Sequence, residues 1–476
     1  MQFDSFAFVG LLAVCLILFH LGPRRGRLAL LLACSAVFYA AWSLPFLALV
    51  LGVALVAWVG GLRIEGAGAG PRAKGWLAAC TVLTLGALAA FKYGQLLLDT
   101  LHVLPGVTWL PAQLPGGVLL PLAISFYTFQ ALGYLADVYR GEQRACRSFP
   151  RLLLFVLFFP QLVAGPIERA GRLLPQIEGL AVIRVGGERF RAGLLLLLWG
   201  LFQKCALADN LALLVDGVYA QPSAHGPGPQ LLATAAFTLQ LYFDFAGYTA
   251  VARGAARMMG VELVPNFRQP FLAANPADLW RRWHISLSEW FRDYVYRPLG
   301  GNRGGRFFTL RNLLITMLVA GLWHGAHPRF AVWGLLHGLL LVAHRLLRPW
   351  LARWVGERPG PAFRLAGILI TFGLWGLSLV LFRAASVGDA WWIYRCLAGG
   401  LVGALSHPAG LLWPPMLAMV GLLGLVLGAM ALEEHWGLWS GWARTTRGSA
   451  ALLAMFLLGI ALLTPAAGPG FIYFQF

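Results

Sequence analysis

The chain has 476 residues, of which 59% are apolar and only 12% are charged, and its mean hydropathy is +0.72. Soluble domains carry about 25% charged residues, so this composition excludes a string of soluble domains, a disordered chain and a disulfide scaffold. It predicts a polytopic membrane protein. The net charge of +18 is explained most simply by basic residues in cytoplasmic loops, and no nucleic-acid partner is expected.

Apolar runs long enough to cross a bilayer recur along the whole chain. They predict an all-α transmembrane helix bundle of about 11–12 spans that forms one integral membrane domain over 1–476. The runs lie near 5–22, 28–44, 46–62, 75–98, 117–139, 192–208, 231–251, 312–326, 330–347, 362–383, 411–432 and 449–464. Arg and Lys residues concentrate in alternate links between these runs, as expected when those links stay in the cytoplasm.

Two stretches depart from this pattern. Residues 152–168 are apolar but interrupted by Pro160 and Pro166 and flanked by Arg residues, which predicts a re-entrant segment and not a span. Residues 276–297 carry aromatic side chains at three- and four-residue steps between arginines. That spacing predicts one amphipathic helix at the membrane interface, with Asn275 as its N-cap.

Half of the ten histidines lie between 284 and 344. His324, between Trp323 and Gly325 at the end of an apolar run, is the best candidate for a general base, because an apolar setting favours neutral imidazole. For most other histidines a structural hydrogen bond between helices is the favoured interpretation. A metal site is less favoured, since HExxH is absent and only His324 and His327 are closely spaced.

Charged side chains near these histidines are further candidates. Asp244 lies within an apolar stretch, where a lone carboxylate is costly, so we expect an arginine or histidine partner. Its role could be structural pairing or lining of the site. Arg281, Arg282 and Arg292 belong to a basic stretch that could bind the phosphates of a carrier such as coenzyme A. Binding of phospholipid headgroups explains them equally well.

Five motifs resemble the membrane-bound O-acyltransferase superfamily, most closely the branch with bacterial alginate O-acetyltransferases and teichoic-acid D-alanyl transfer proteins. They are FFPQLVAGPIER (158–169), LYFDFAGYTAVARG (241–254), NFRQPFLAANPADLWRRWHISLSEWFRDYVYRPLGGNRGG (266–305), GLWHGAHPRFAVWGLLHG (321–338) and FIYFQF (471–476). The motif-bearing core covers about 120–340. One departure is Ala250, at a position where many relatives carry an acid.

The resemblance implies a helix bundle with an intramembrane tunnel and assigns roles to the histidines. It implies that His324 is catalytic, that His284 is the second signature histidine, and that His337 is the histidine of the W-G-x-x-H-G pattern. We predict that Trp323, Trp283, His337, Asp244, Arg281, Arg282 and Arg292 contact substrate.

The implied activity is transfer of an acyl group, typically acetyl, from a cytoplasmic thioester to a hydroxyl of an extracytoplasmic polysaccharide or glycolipid. The donor is acyl-CoA or an acyl-carrier-protein thioester, and the acyl group travels directly or through a periplasmic acetyltransferase partner. The implied location is the bacterial cytoplasmic (inner) membrane, with no bound cofactor or metal. Two alternatives remain: a transporter or flippase for a lipid-linked sugar, and a scaffold subunit of a polysaccharide export complex.

Overall fold

The computed structural model describes residues 1–102, 121–163, 165–356, 360–406, 414–466, 468 and 470–472, and this part of the chain contains helices and no strands. The predicted all-α polytopic bundle is confirmed. The first residues of the run predicted over 117–139 and the last four residues of FIYFQF lie outside the described residues.

The described residues form two compact units. The first contains Met1–Leu197 and Tyr248–Pro265, and the second contains Leu198–Gly247 and Asn266–Phe476. The interpretation of 1–476 as one domain stays a prediction.

The first unit is built from apolar helices, and their ends include a serine N-cap and a glycine C-cap. Ser5 caps the first helix by accepting a hydrogen bond from the amide of Phe8, and Gly68 ends the third with φ +65°. The helices are α1 (Phe6–Leu21), α2 (Arg27–Ala40), α3 (Leu44–Ala67), α4 (Pro71–His102), α5 (Ile124–Tyr139), α6 (Phe149–Leu157), α7 (Phe159–Leu162), α8 (Ala170–Glu178), most of α9 (Gly187–Leu201) and the end of α11 (Pro227–Met258).

The stretch predicted to be re-entrant is broken, as expected, although the break starts just before Pro160. Helix α6 ends at Leu157, Phe158 leaves the helical conformation, and the short helix α7 follows. The amide of Phe159 donates to Ser35 Oγ at 3.1 Å, which satisfies a backbone group freed by the break. A helix of nine residues is about 14 Å long and cannot cross a bilayer of about 30 Å. Its re-entry into the membrane stays a prediction.

The second unit holds the motif-bearing histidines. After a π-helical turn over Phe202–Ala208, its helices are α10 (Asp209–Tyr219), most of α11, α12 (Pro276–Arg282), α13 (Ile285–Phe291), α14 (Arg306–His324), α15 (Pro328–Val355), α16 (Pro361–Arg383), α17 (Val387–Ser406), α18 (Pro414–Trp436), α19 (Leu438–Arg444) and α20 (Thr446–Leu463). A second π-helical turn, Arg292–Tyr296, follows α13.

Eight helices of the described chain are long and apolar enough to cross a membrane, which is fewer than the number of predicted spans. They are Leu44–Ala67, Pro71–His102, Gly187–Tyr219, Arg306–His324, Pro328–Trp354, Pro361–Arg383, Pro414–Trp436 and Thr446–Leu463. The difference has two physical causes. Helices such as α1 and α2 have 16 and 14 residues, which is short for a full crossing. Helix α11 has 32 residues but carries Gln230, Asp244 and Arg253.

The prediction of one continuous amphipathic helix over 276–297 is wrong. The backbone breaks at His284, whose φ of 43° lies in the left-handed region, so the stretch forms α12 and α13 separately. The break is stabilised by a hydrogen bond from the Ile285 amide to the carbonyl of Asn266 at 2.9 Å. The predicted N-cap is confirmed: Asn275 Oδ1 accepts from the amide of Asp278 at 2.9 Å.

Candidate functional site

The hairpin formed by α14 and α15 places His324, the strongest catalytic candidate, at the last residue of α14. A Cβ atom added at Gly321 would lie 2.2 Å from the carbonyl oxygen of Phe330, and one at Gly334 would lie 2.4 Å from that of Met317. Small residues at such contacts let membrane helices pack backbone to backbone. His324 is therefore held at the closed end of a tightly packed hairpin.

Aromatic rings enclose the His324 side chain, which is only 8% exposed. Its ring centroid lies 4.8 Å from that of Trp323, 5.0 Å from Phe382 and 5.1 Å from Trp333, each in edge-to-face geometry. The predicted burial of His324 in an apolar setting is confirmed. Its catalytic role stays a prediction.

His284 lies at the break between α12 and α13 and is buried. Its ring contacts Phe245 at a centroid distance of 4.7 Å and Trp323 at 6.2 Å. Burial lowers the pKa of His284 to about 3, because desolvation disfavours the charged imidazolium. His284 is therefore neutral at pH 7. The indole of Trp323 contacts both candidate catalytic histidines, His284 and His324.

His337 belongs to a cluster of four rings that we call the aromatic box: Trp280 on α12, Trp333 and His337 on α15, and Trp375 on α16. The ring of His337 lies 4.6 Å from Trp333 and 5.3 Å from both Trp280 and Trp375. Its Nε2 is 3.0 Å from Ser378 Oγ. Since Trp333 also contacts His324, the box adjoins the enclosure of that histidine.

Trp283, predicted to contact substrate, is buried among other aromatic side chains. Its ring lies 4.8 Å from Trp375 and 5.0 Å from Phe267. Packing therefore accounts for its position, and a contact with substrate stays a prediction.

Asp244 pairs with a lysine, a residue type that the prediction of an arginine or histidine partner did not include. Lys204 Nζ lies 2.8 Å from Asp244 Oδ1 and 2.7 Å from Asp209 Oδ1, and all three side chains are buried. Asp244 Oδ2 also accepts a hydrogen bond from the amide of Ile472 at 2.9 Å. Sequence reasoning missed Lys204, although a lysine inside an apolar run is itself a signal for a buried ion pair.

The three predicted substrate-binding arginines differ in how they are held. Arg282 is a bidentate partner of Glu434 at 2.5 and 3.0 Å, and its Nε lies 3.1 Å from Asp278. It therefore ties α12 to α18. Arg281 and Arg292 have side chains that are 67% and 50% exposed, and within the described residues they pair with nearby carboxylates of their own segment.

His327 serves the local structure of the hairpin. It is the N-cap of α15, and its Nδ1 accepts a hydrogen bond from the amide of Arg329 at 3.3 Å. Within the described residues, no three His, Cys, Asp or Glu side chains are grouped as metal ligands. The expectation of a site without metal stays a prediction.

An apolar groove of about 430 Å³ lies among α15, α16 and α17. It is lined by Val332, Leu336, Leu340, Leu374, Leu377, Ser378, Leu381, Val387, Ala390, Trp391 and Tyr394. Neither His284 nor His324 lines this groove, so it is separate from the candidate catalytic residues.

The eight candidate spans of the described chain define a polytopic membrane protein. The candidate catalytic histidines, His284 and His324, are buried among its helices. The sequence profile of the membrane-bound O-acyltransferase family, MBOAT, matches residues 142–360. The chain is similar to the probable alginate O-acetylase AlgI of Pseudomonas aeruginosa, at 38% identity over 91% of this chain and 80% of that protein.

Two other relatives carry different names. The peptidoglycan O-acetyltransferase of Helicobacter pylori is 32% identical over 81% of this chain and 76% of its own length. The teichoic acid D-alanyltransferase of Bacillus subtilis is 27% identical over 55% of this chain and 68% of its own length. The chain belongs to the membrane-bound O-acyltransferase family and is a multi-pass membrane O-acyltransferase. The family and enzyme class predicted from the sequence are confirmed.

Proposed function

We propose that this enzyme transfers an acetyl group from a cytoplasmic thioester to a hydroxyl of an extracytoplasmic polysaccharide, with His324 as general base. The observation that carries the proposal is the enclosed position of His324 at the end of the α14–α15 hairpin. The aromatic rings leave only 8% of His324 exposed, and such limited access of water favours transfer to the acceptor over hydrolysis of the thioester.

In the proposed reaction, His324 takes the proton of the acceptor hydroxyl as the hydroxyl oxygen attacks the thioester carbonyl carbon. The carbon–sulfur bond breaks, an ester forms, and His324 returns the proton to the departing thiolate. General-base help of this kind contributes about 10²–10⁴-fold. Neutral His284 can donate an N–H to the carbonyl oxygen, where negative charge develops.

The donor is proposed to bind through the exposed arginines of the basic stretch. Arg281 and Arg292 are accessible, whereas Arg282 is engaged by Glu434. Phosphates of coenzyme A, or the phosphopantetheine of an acyl carrier protein, are the matching donor groups. A cytoplasmic donor and an outside acceptor place the enzyme in the bacterial inner membrane.

The acceptor is proposed from the names of the relatives. Two of them are named for O-acetylation of alginate and of peptidoglycan, which are both extracytoplasmic polymers of hydroxyl-bearing sugars. We propose a polysaccharide of this class, acetylated directly or through a periplasmic acetyltransferase partner.

Transfer of labelled acetyl from acetyl-CoA in inverted membrane vesicles tests the proposal. The wild type should label carbohydrate or a partner protein, and His324→Ala at matched protein level should reduce the rate about 100-fold or more. His225→Ala, at a partly exposed histidine in the loop between α10 and α11, is the control and should keep wild-type activity.

Full activity of a folded, membrane-inserted His324→Ala protein would overturn the assignment of the base. A wild type that is inactive with acetyl-CoA should become active with an acetylated carrier protein or with added periplasmic extract. Inactivity under all three conditions would contradict the proposed donor and acceptor. Net movement of an unmodified sugar lipid would then support the transporter.

A further inference from the structure

The aromatic box contains buried polar nitrogens that the protein itself does not satisfy. The indole Nε1 atoms of Trp280, Trp333 and Trp375 and the Nδ1 atom of His337 have no hydrogen-bond partner in the described part of the chain. Trp333, Trp375 and His337 are at most 2% exposed. Leaving a buried donor or acceptor unpaired is costly, so a group of four in one cluster requires an explanation.

The hydrogen bonds of Ser378 determine which nitrogen of His337 carries the proton. Ser378 Oγ donates its one proton to the carbonyl of Trp375 at 2.7 Å. It must then accept from His337, whose Nε2 lies 3.0 Å away. The proton is therefore on Nε2, and the Nδ1 atom presents a lone pair within the box.

The box thus offers three N–H donors and one acceptor, and this set selects its ligand by chemistry. A carbonyl or carboxylate oxygen accepts hydrogen bonds only and would leave His337 Nδ1 unpaired. An ammonium group only donates hydrogen bonds, so the three indole N–H groups would stay unpaired beside it. A hydroxyl can accept from an indole N–H and donate to Nδ1 at the same time.

The position of the box relates it to the proposed reaction. The ring of Trp333, a member of the box, lies 4.6 Å from His337 and 5.1 Å from His324, so the box directly adjoins the proposed base. We propose that the aromatic box is an acceptor subsite that binds one hydroxyl of the sugar while a different hydroxyl of the same acceptor reaches His324. This inference rests on the proposed function and adds a requirement for an acceptor with at least two hydroxyls.

The binding test uses the full-length protein, labelled with ¹⁵N-tryptophan, in lipid nanodiscs. Trp280→Phe, Trp333→Phe and Trp375→Phe each remove one indole N–H signal and so assign the three resonances. An alginate trisaccharide and, separately, molar glycerol should shift at least one of these indole protons downfield. The per-O-methylated trisaccharide, which cannot donate a hydrogen bond, should not.

Indole signals that move with neither probe would overturn the subsite. That outcome is expected if the N–H groups already bind trapped water or point at neighbouring ring faces. Equal shifts with the methylated sugar would also overturn it, because hydroxyl recognition would then play no part. Binding is measured without turnover, so a failure of the acyl-transfer proposal would leave this result intact.

Two substitutions of His337 separate the subsite from a structural role. His337→Gln can keep a group near the Nε2 position, against Ser378, but removes the lone pair at Nδ1. His337→Asn can keep an oxygen near Nδ1 and loses the contact with Ser378. We expect the KM for the acceptor to rise about tenfold in His337→Gln, as for one lost hydrogen bond, and less in His337→Asn, with the donor KM unchanged in both. Equal losses of kcat in both variants without a change in acceptor KM would contradict the proposal.

Discussion

His324 and His284 are held in place by different means, although both contact the ring of Trp323. His324 ends a regular helix, and its position depends on glycine contacts within the α14–α15 hairpin and on enclosing aromatic rings. His284 interrupts a helix, and its position depends on a left-handed backbone and on hydrogen bonds to a distant loop. Substitutions that disturb helix packing should therefore act mainly by displacing His324. Substitutions that change the backbone conformation, and changes in pH, should act mainly at His284.

The largest expected effect comes from filling the hairpin contact. Gly334→Ala adds a Cβ atom 2.4 Å from the Met317 carbonyl oxygen, so α14 must move away from α15. We expect a loss of about 3 kcal/mol in stability and about a 100-fold loss of acyl transfer through displacement of His324. Thermal unfolding in detergent and the vesicle assay measure the two effects.

Gly373→Ala on α16 is the control for this substitution, because a Cβ atom there meets no atom of the described residues within 4 Å beyond its chain neighbours and the backbone of its own helix. Its stability should be unchanged or slightly higher, since alanine favours helix. If Gly334→Ala were as stable and as active as Gly373→Ala, the glycine contact would not determine the position of His324.

Removing the arginine that ties α12 to α18 should have the next largest effect. Arg282→Gln leaves Glu434 without its bidentate partner, and we expect a loss of about 3 kcal/mol in stability. Arg281→Gln, at the neighbouring exposed residue, should leave stability unchanged and raise the KM for the donor. The opposite result, a stable Arg282→Gln protein with a raised donor KM, would assign donor binding to Arg282.

The sequence predicted the position of His324, at the end of a regular helix, better than that of His284, at a break between two helices. A long apolar run ending in Trp-His-Gly predicted the buried position of His324, because hydropathy and spacing are properties of neighbouring residues. The break at His284 depends on a hydrogen bond to Asn266, and the ion pair of Asp244 depends on Lys204. Both are contacts between residues far apart in sequence, which periodicity does not report.

Helix ends were also hard to predict from the sequence. Polar residues such as Arg306 and Asn312 lower the hydropathy at the start of α14, yet the helix already begins at Arg306. Hydropathy records the apolar middle of a helix, while its ends are set by caps and turns.

Acidification should destabilise the protein through His284. Burial lowers the folded-state pKa of His284 to about 3, so the unfolded chain binds a proton near pH 6.5 while the folded protein does not. The contribution of neutral His284 to the free energy of unfolding is complete above pH 6.5 and is lost as the pH falls toward 3. At pH 5 the loss is about 2 kcal/mol.

Unfolding midpoints of wild type and His284→Asn at pH 7 and pH 5 test this, because asparagine tolerates left-handed backbone but does not titrate. An equal pH dependence of the two proteins would show that His284 is not the responsible group.

The smallest expected effect comes from two variants that separate the contribution of the left-handed backbone at His284 from that of its imidazole ring. His284→Gly and His284→Ala both remove the ring, but only alanine places a Cβ atom in the left-handed region at φ 43°. We expect the alanine variant to be less stable than the glycine variant by about 1 kcal/mol. Gln269→Gly, at the other left-handed residue of this region, should raise stability for the same reason. Because both histidine variants lose the ring, their acyl transfer should be equally low, and a more active glycine variant would show that backbone geometry itself limits the reaction.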